Sequence, residues 1–225
     1  MSKQKRQVLE ILNKFGFASV HEIALVYKSS LRQSYRYLED LNALGLTQQK
    51  RFFISYSNVH WLTEEGVQLC GIPLPIIKQP SIFTLEHDIK VIRLYAHLKE
   101  QAKNQNPNTT FNWYTPRELK SKNIIETTEL RIQIHKITKE LPDAMIINND
   151  IKIAIELEKS YKLDSKWTRK IANYKKLLDQ KIISRVLYYI ENEAIGKALL
   201  GVIESTAPGS EIKIIKWHDD QKPIQ

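Results

Sequence analysis

The sequence predicts an α+β protein in which short helices and a hairpin come first and a mixed sheet flanked by helices follows. Three observations predict it. Apolar residues recur at helical spacing up to about residue 44 and then alternate in short runs. Pro73, Pro75 and Pro80 then interrupt regular structure. Beyond them, apolar runs of strand length trade places with amphipathic stretches, as expected of a sheet covered by helices.

Taken in order, Lys5 to Phe15 carries Val8, Leu9, Ile11, Leu12 and Phe15 at helical spacing and ends at Gly16, a helix C′ residue. A second helix begins after Ser19, with Glu22 three residues on, as a capping box requires. Ile23, Ala24, Val26 and Tyr27 are its apolar positions. Ser29 and Ser30 precede a third helix, Leu31 to Leu44, which Gly45 ends and whose apolar positions are Leu31, Tyr35, Leu38 and Leu41. Between them stand Arg32, Gln33, Ser34, Arg36 and Tyr37, side chains that reach bases or phosphates. Thr47–Phe53 and Val59–Leu62 read as strands joined around Ser55-Tyr56-Ser57-Asn58, with Lys50 and Arg51 nearby. Three helices and a hairpin is the order of a winged helix-turn-helix. In that arrangement the third helix enters the major groove while Lys50 and Arg51 contact phosphates. A plain three-helix bundle, or a winged helix that docks a protein, has the same pattern. Thr63–Leu69 gives a short capped helix, and the prolines place a linker at 73–82. The expected domains are therefore 1–72 and 83–225.

The second part opens with a helix from Thr84 to Ala102, a polar loop Asn104–Thr110, a short strand Phe111–Tyr114, and a turn or short helix over Thr115–Lys122. Glu126–Lys139 is ambiguous. Leu130, Ile132 and Ile134 alternate as in a strand, Ile137 then breaks the alternation, and the segment reads as a strand or as part of an irregular insertion. After the hairpin described below come a basic helix Lys162–Gln180, a strand Ile183–Ile190, a helix Glu193–Ile203 and a strand Glu211–Trp217.

The 225 residues suffice for one large domain or two modest ones. A net charge of +9 favours an acidic partner, nucleic acid before others, with simple solubility as the plain alternative. The single cysteine, Cys70, excludes an intrachain disulfide, fits a reducing cytoplasm and reads as a small core residue. No apolar run approaches the length needed to span a bilayer, and no secretory signal is visible, so no membrane insertion is expected.

The chemistry concentrates in one hairpin. If Asn149-Asp150 is its two-residue loop, Asn148 faces Ile151, Ile146 faces Ile153, Ala144 faces Ile155, and Asp143 faces Glu156. Side chains alternate, so Asp143, Glu156 and Glu158 share one side. Like charges opposed across a hairpin destabilise it. A hard cation such as Mg²⁺ or Mn²⁺ would turn that repulsion into coordination, so all three acids are expected metal ligands. The helix that follows carries Lys162, Lys166, Arg169, Lys170, Lys175 and Lys176 against Asp164 and Asp179, a face suited to gripping phosphates or simply a solvated one.

Pro142-Asp143, a hairpin, then Glu156-Leu157-Glu158 leading into a helix resembles the PD-(D/E)xK phosphodiesterase superfamily, to which restriction endonucleases belong. His87-Asp88 at a helix start, Trp113, and Arg117-Glu118-Leu119 occur in order with it and with the N-terminal helices and hairpin. Together these residues resemble the replication-relaxation family, which includes MobC-type relaxases of mobilisable plasmids and integrative elements. The resemblance implies a winged helix joined to a restriction-endonuclease-like sheet, and a metal-dependent nuclease that nicks DNA at a transfer or replication origin. It implies a catalytic set of Asp143, Glu156 and Glu158, with His87 in support. Glu158 stands where the superfamily has lysine, so Lys166, Lys170 or Lys175 would supply the ammonium, Lys170 foremost. Arg32, Gln33, Arg36, Lys50, Arg51, Lys162, Lys166, Arg169 and Lys175 are the expected DNA contacts. A coupling or accessory mobilisation protein is an implied partner. Two other readings keep the same residues: a non-catalytic winged-helix regulator of plasmid replication or transfer, and another endonuclease on the same fold.

Overall fold

The structure is a computed structural model that describes residues 1–53, 57–108, 110–121 and 124–219. Its chain forms two compact units, the first built from Met1–Pro107 and the second from Asn108–Lys120 and Ile125–Asp220. Both mix helices with a sheet, so the protein is α+β.

In the first unit α1 (Lys3–Phe15) starts at Ser2, whose hydroxyl accepts the Lys5 amide, and stops at Gly16 with φ 89°. The two-residue strand β1 (Ala18–Ser19) leads into α2 (Val20–Tyr27), and the Ser19–Glu22 capping box forms. Glu22 does more than cap. It is buried and also accepts Arg93 at 2.9 Å, so the same carboxylate holds a helix start and a distant guanidinium. The turn after α2 places Lys28 in the left-handed region at φ 58°, unusual for a side chain other than Gly, Asn or Asp. Then come α3 (Leu31–Ala43), β2 (Thr47–Lys50), β3 (Val59–Leu62) and α4 (Glu64–Gln68). The strands order β1-β3-β2, all antiparallel. The centre of the expected turn, Ser55-Tyr56, lies outside the described residues.

The long helix α5 (Leu85–Gln105) also belongs to this unit. Its Leu85 and Ile89 are buried in one cluster with Phe17, Val59 and Trp61. The expected linker at 73–82 therefore falls inside the first unit: the apolar stripe of α5 is spent on the N-terminal core.

The second unit is a five-stranded sheet in the order β4-β5-β6-β7-β8. Its strands are β4 (Trp113–Tyr114), β5 (Ala144–Asn148), β6 (Ile151–Glu158), β7 (Arg185–Ile190) and β8 (Ile212–Lys216). The first two pairings are antiparallel and the last two parallel, a mixed sheet. The register of β5 on β6 is the one the turn implies, Asn148 with Ile151 and Ala144 with Ile155, and Asn149 takes φ 52° at the turn. Short α6 (Pro116–Lys120) and then α7 (Ile125–Ile137) precede β5. The segment that reads as a strand or an insertion is thus helical. Leu130 and Ile134 are buried one turn apart while Ile132 between them is 47% exposed, which shows that the apparent alternation was one helical face and one surface residue. The parallel strands are joined through α8 (Asp164–Asp179) and α9 (Glu193–Thr206), which pack on each other. Trp167, Ile171 and Leu199 share a fully buried cluster with Val186 and Tyr188 of β7. Thr109 of the expected polar loop and Lys122 of the expected short helix lie outside the described residues. No helix among the described residues is long and apolar enough to cross a membrane.

Candidate functional site

Two places gather the residues singled out by the sequence, one in each unit. The first is α3. Ser34, Leu38 and Leu41 are buried, an i, i+4, i+7 stripe that faces the core. Arg32, Gln33, Tyr35 and Arg36 are exposed on the opposite side. This corrects two readings. Ser34 is fully buried with its hydroxyl 2.6 Å from that of Ser29, so it reaches no outside partner. Tyr35, expected in the core, is 45% exposed. Gln33 donates to the Tyr37 hydroxyl at 2.7 Å, which fixes its amide along the helix. Acid enters only in the second half of α3, and there Asp40 is paired with Lys5 of α1 at 2.8 Å. Lys50 at the end of β2 and Arg51 just after it are both exposed. The Lys50 ammonium lies 5.6 Å from the centre of the Phe52 ring.

The second place is the end of β6. Glu156 and Glu158 share one side of the strand, as the period of two requires, but that side is covered. Glu156 is 2% exposed and Glu158 3%. Lys170 of α8 donates to Glu156 at 2.6 Å, and the Tyr174 hydroxyl donates to its other oxygen. Lys162 donates to Glu158 at 2.9 Å and the Trp167 indole at 3.1 Å. Asp143, one residue before β5, accepts the Leu157 amide at 2.8 Å. Burial raises the Glu156 pKa to about 7, against the pull of Lys170 and with help from the Asp143 charge. Burial works against the Lys170 ammonium too, yet Glu156 and Asp143 outweigh it and hold that pKa above its ordinary value. Tyr174 and Tyr188, which meet edge to face at 6.3 Å, are pushed well up, first by burial and then by Glu156.

The repulsion between the carboxylates is therefore relieved by Lys170, Tyr174 and Trp167 of α8 and by Lys162 just before it. A divalent ion does not fit this arrangement. Both oxygens of Glu156 and one oxygen of Glu158 already accept protein donors, and among the described residues no three His, Cys, Asp or Glu side chains are placed to hold a metal. The expected phosphate-gripping face of α8 is also largely committed. Lys170 turns inward, Lys162 just before the helix pairs with Glu158, Arg169 pairs with Glu140 at 2.8 Å, and Lys175 pairs with Asp179 at 2.7 Å. Lys166 and Lys176 are exposed. His87 sits on α5 in the first unit, 3.3 Å from Asp88, whereas the acids belong to the second. Glu118 of the Arg117-Glu118-Leu119 segment folds back on the Thr115 amide at 2.8 Å and so caps α6. Cys70 is buried, and burial pushes its thiol up to about 11.

Sequence reasoning missed Trp167 as a partner of Glu158 and Tyr174 as a partner of Glu156. The signal was present. Trp167, Lys170 and Tyr174 recur at three- and four-residue spacing and therefore share one face of α8. Read that way, the helix was amphipathic with a lysine inside its apolar stripe.

No known protein family matches the chain, and no curated protein matches it. Among solved structures, an O-methyltransferase family protein from Burkholderia thailandensis superposes on 95% of this chain at 9% identity and a TM-score of 0.25. The chain spans 59% of that protein's length, and a likeness this low carries no argument about fold or activity. The expectation of an Mg²⁺- or Mn²⁺-dependent nicking endonuclease is corrected here. The correction itself rests on the buried, already neutralised acids.

Proposed function

We propose that the chain is a non-catalytic, sequence-reading DNA-binding protein whose first unit is a winged helix-turn-helix. One observation carries the reading: α3 splits into a buried stripe and an exposed face of Arg32, Gln33, Tyr35 and Arg36. Such a helix can enter a major groove, where arginine reads guanine and glutamine reads adenine by paired hydrogen bonds. Lys50 and Arg51, exposed where the β2–β3 hairpin leaves β2, supply phosphate contacts that set orientation without reading sequence. The excess of positive charge adds the long-range attraction that such binding needs. On the sequence resemblance to replication-relaxation proteins, the proposed target is an origin of plasmid replication or transfer.

The test is selection of duplexes from a random pool by the purified full chain, followed by titration of the winner. A selected duplex should bind at least about 100-fold more tightly than random DNA in physiological salt. Arg32→Ala with Arg36→Ala should remove most of that preference while leaving the thermal unfolding curve in place. A chain that binds selected and random duplexes equally would end the reading.

A further inference from the structure

A second surface of the first unit has a different chemistry from the outer face of α3. Two adjoining concavities run along α1 and share Gln7 and Tyr27. The one nearer the start of α3 is lined by Lys3, Lys28, Ser29 and Gln33. The other reaches Lys14, Phe15, Tyr95 and Lys99. Four lysines thus border one continuous groove, against Glu10 on its wall and Glu100, which pairs with Lys28 at 2.8 Å. Aromatic rings lie between the lysines. Phe15 and Tyr27 are half-buried, so each keeps a partly open surface, and each is braced by a second ring. Phe15 meets Tyr95 edge-on at 5.1 Å, and Tyr27 meets Tyr37 at 6.3 Å. Lys99 lies 5.4 Å from the centre of the Tyr95 ring.

Cations spaced along a groove with braced, partly open rings between them match one ligand chemistry. Phosphates follow the lysines and unpaired bases stack on the rings, a combination that duplex DNA, with its bases turned inward, cannot use. We propose that this groove binds single-stranded DNA, separately from the duplex-reading face of α3. The proposal extends the DNA-binding reading above and rests on it for the choice of nucleic acid. Burial first, and then the nearby Lys28 charge, lower the Lys99 pKa. The groove meets the start of α3 at Ser29 and Gln33, so a strand leaving a duplex held by α3 has a path to follow.

The experiment compares wild type, Lys14→Gln/Lys99→Gln and Arg32→Ala/Arg36→Ala, each titrated with a labelled oligothymidylate and with the selected duplex. The lysine pair should lose roughly tenfold in affinity for oligothymidylate and keep its duplex affinity. The arginine pair should do the reverse. Tyr27→Leu should weaken oligothymidylate binding without changing its salt dependence, because stacking releases no counterions. Wild type that fails to bind oligothymidylate, or a lysine pair that binds it unchanged, overturns the proposal while leaving the duplex reading intact. Equal loss of both ligands in the lysine pair, with unchanged unfolding, overturns the claim of a separate groove. If Lys14→Gln disturbs folding, Lys3→Gln/Lys99→Gln takes the same measurements.

Discussion

Two helices of this chain carry the cations that the sequence singles out, and they place them differently. On α3 the arginines stand out on the face away from the core, over a buried stripe of Ser34, Leu38 and Leu41. On α8 Lys170 turns inward to meet Glu156, Lys162 just before the helix meets Glu158, and two more cations of α8 are held by surface acids. α3 carries two arginines against two acids, and α8 carries four lysines and an arginine against two aspartates. What separates them is the surface below. A helix that packs only on apolar neighbours leaves its charges to solvent and to ligands. One that packs over buried carboxylates must neutralise them first, because an uncompensated buried charge costs several kcal/mol. Net charge does not show this difference: on α8 only Lys166 and Lys176 stay exposed outside the ion pairs named above.

The contrast can be broken most forcefully at Lys170. Lys170→Ala leaves Glu156 buried without its cation and should destabilise the fold by about 3–5 kcal/mol, whereas Glu156→Leu/Lys170→Met should recover most of the loss. Urea unfolding of both variants decides it. If the single variant lost less than about 1 kcal/mol, the pair would be no structural device.

The next effect is on pH. The folded-state pKa of Glu156 is raised to about 7 by burial, so the native state holds that proton more tightly than the unfolded chain does. The stability this contributes is fully present below the ordinary carboxylate range and is lost as pH rises through about 7. A difference of this size amounts to on the order of 3 kcal/mol. Unfolding free energy measured from pH 5 to 8 should fall in wild type and fall less in Glu156→Gln. Parallel curves would remove Glu156 as the source.

On α3 the single variant Arg36→Ala should leave stability within about 0.5 kcal/mol, since the side chain is exposed. It should weaken selected-duplex binding by about 1–3 kcal/mol, read by fluorescence anisotropy. Smallest is Arg169→Ala. It breaks an exposed pair with Glu140, and a change in unfolding free energy above about 1 kcal/mol would show that α8 relies on its outer charges as well.

Much of this architecture was legible before any coordinates. The capping box at Ser19, the stop at Gly16 and the register of the β5–β6 hairpin are local, each fixed by residues a few positions apart. The chemistry of the acids was not local. The pattern placed Glu156 and Glu158 correctly on one side of a strand, but which element lies over that side depends on the long parallel crossover between Glu158 and Arg185. Burial by Trp167 and Tyr174 is a tertiary fact, and it reverses the meaning of the carboxylates. The same reason explains α5. The helix was visible, but the core that receives its Leu85 and Ile89 was not.

Lys28 carries a last consequence. At φ 58° it occupies a conformation in which a glycine would be relaxed and a lysine is strained by about 1–3 kcal/mol. The turn between α2 and α3 thus carries a conformational cost at a residue whose ammonium, paired with Glu100, lines the proposed groove. Lys28→Gly should raise the melting temperature while weakening oligothymidylate binding, a trade of rigidity against function within a single residue. Were melting and binding to fall together, the strain would have no such purpose.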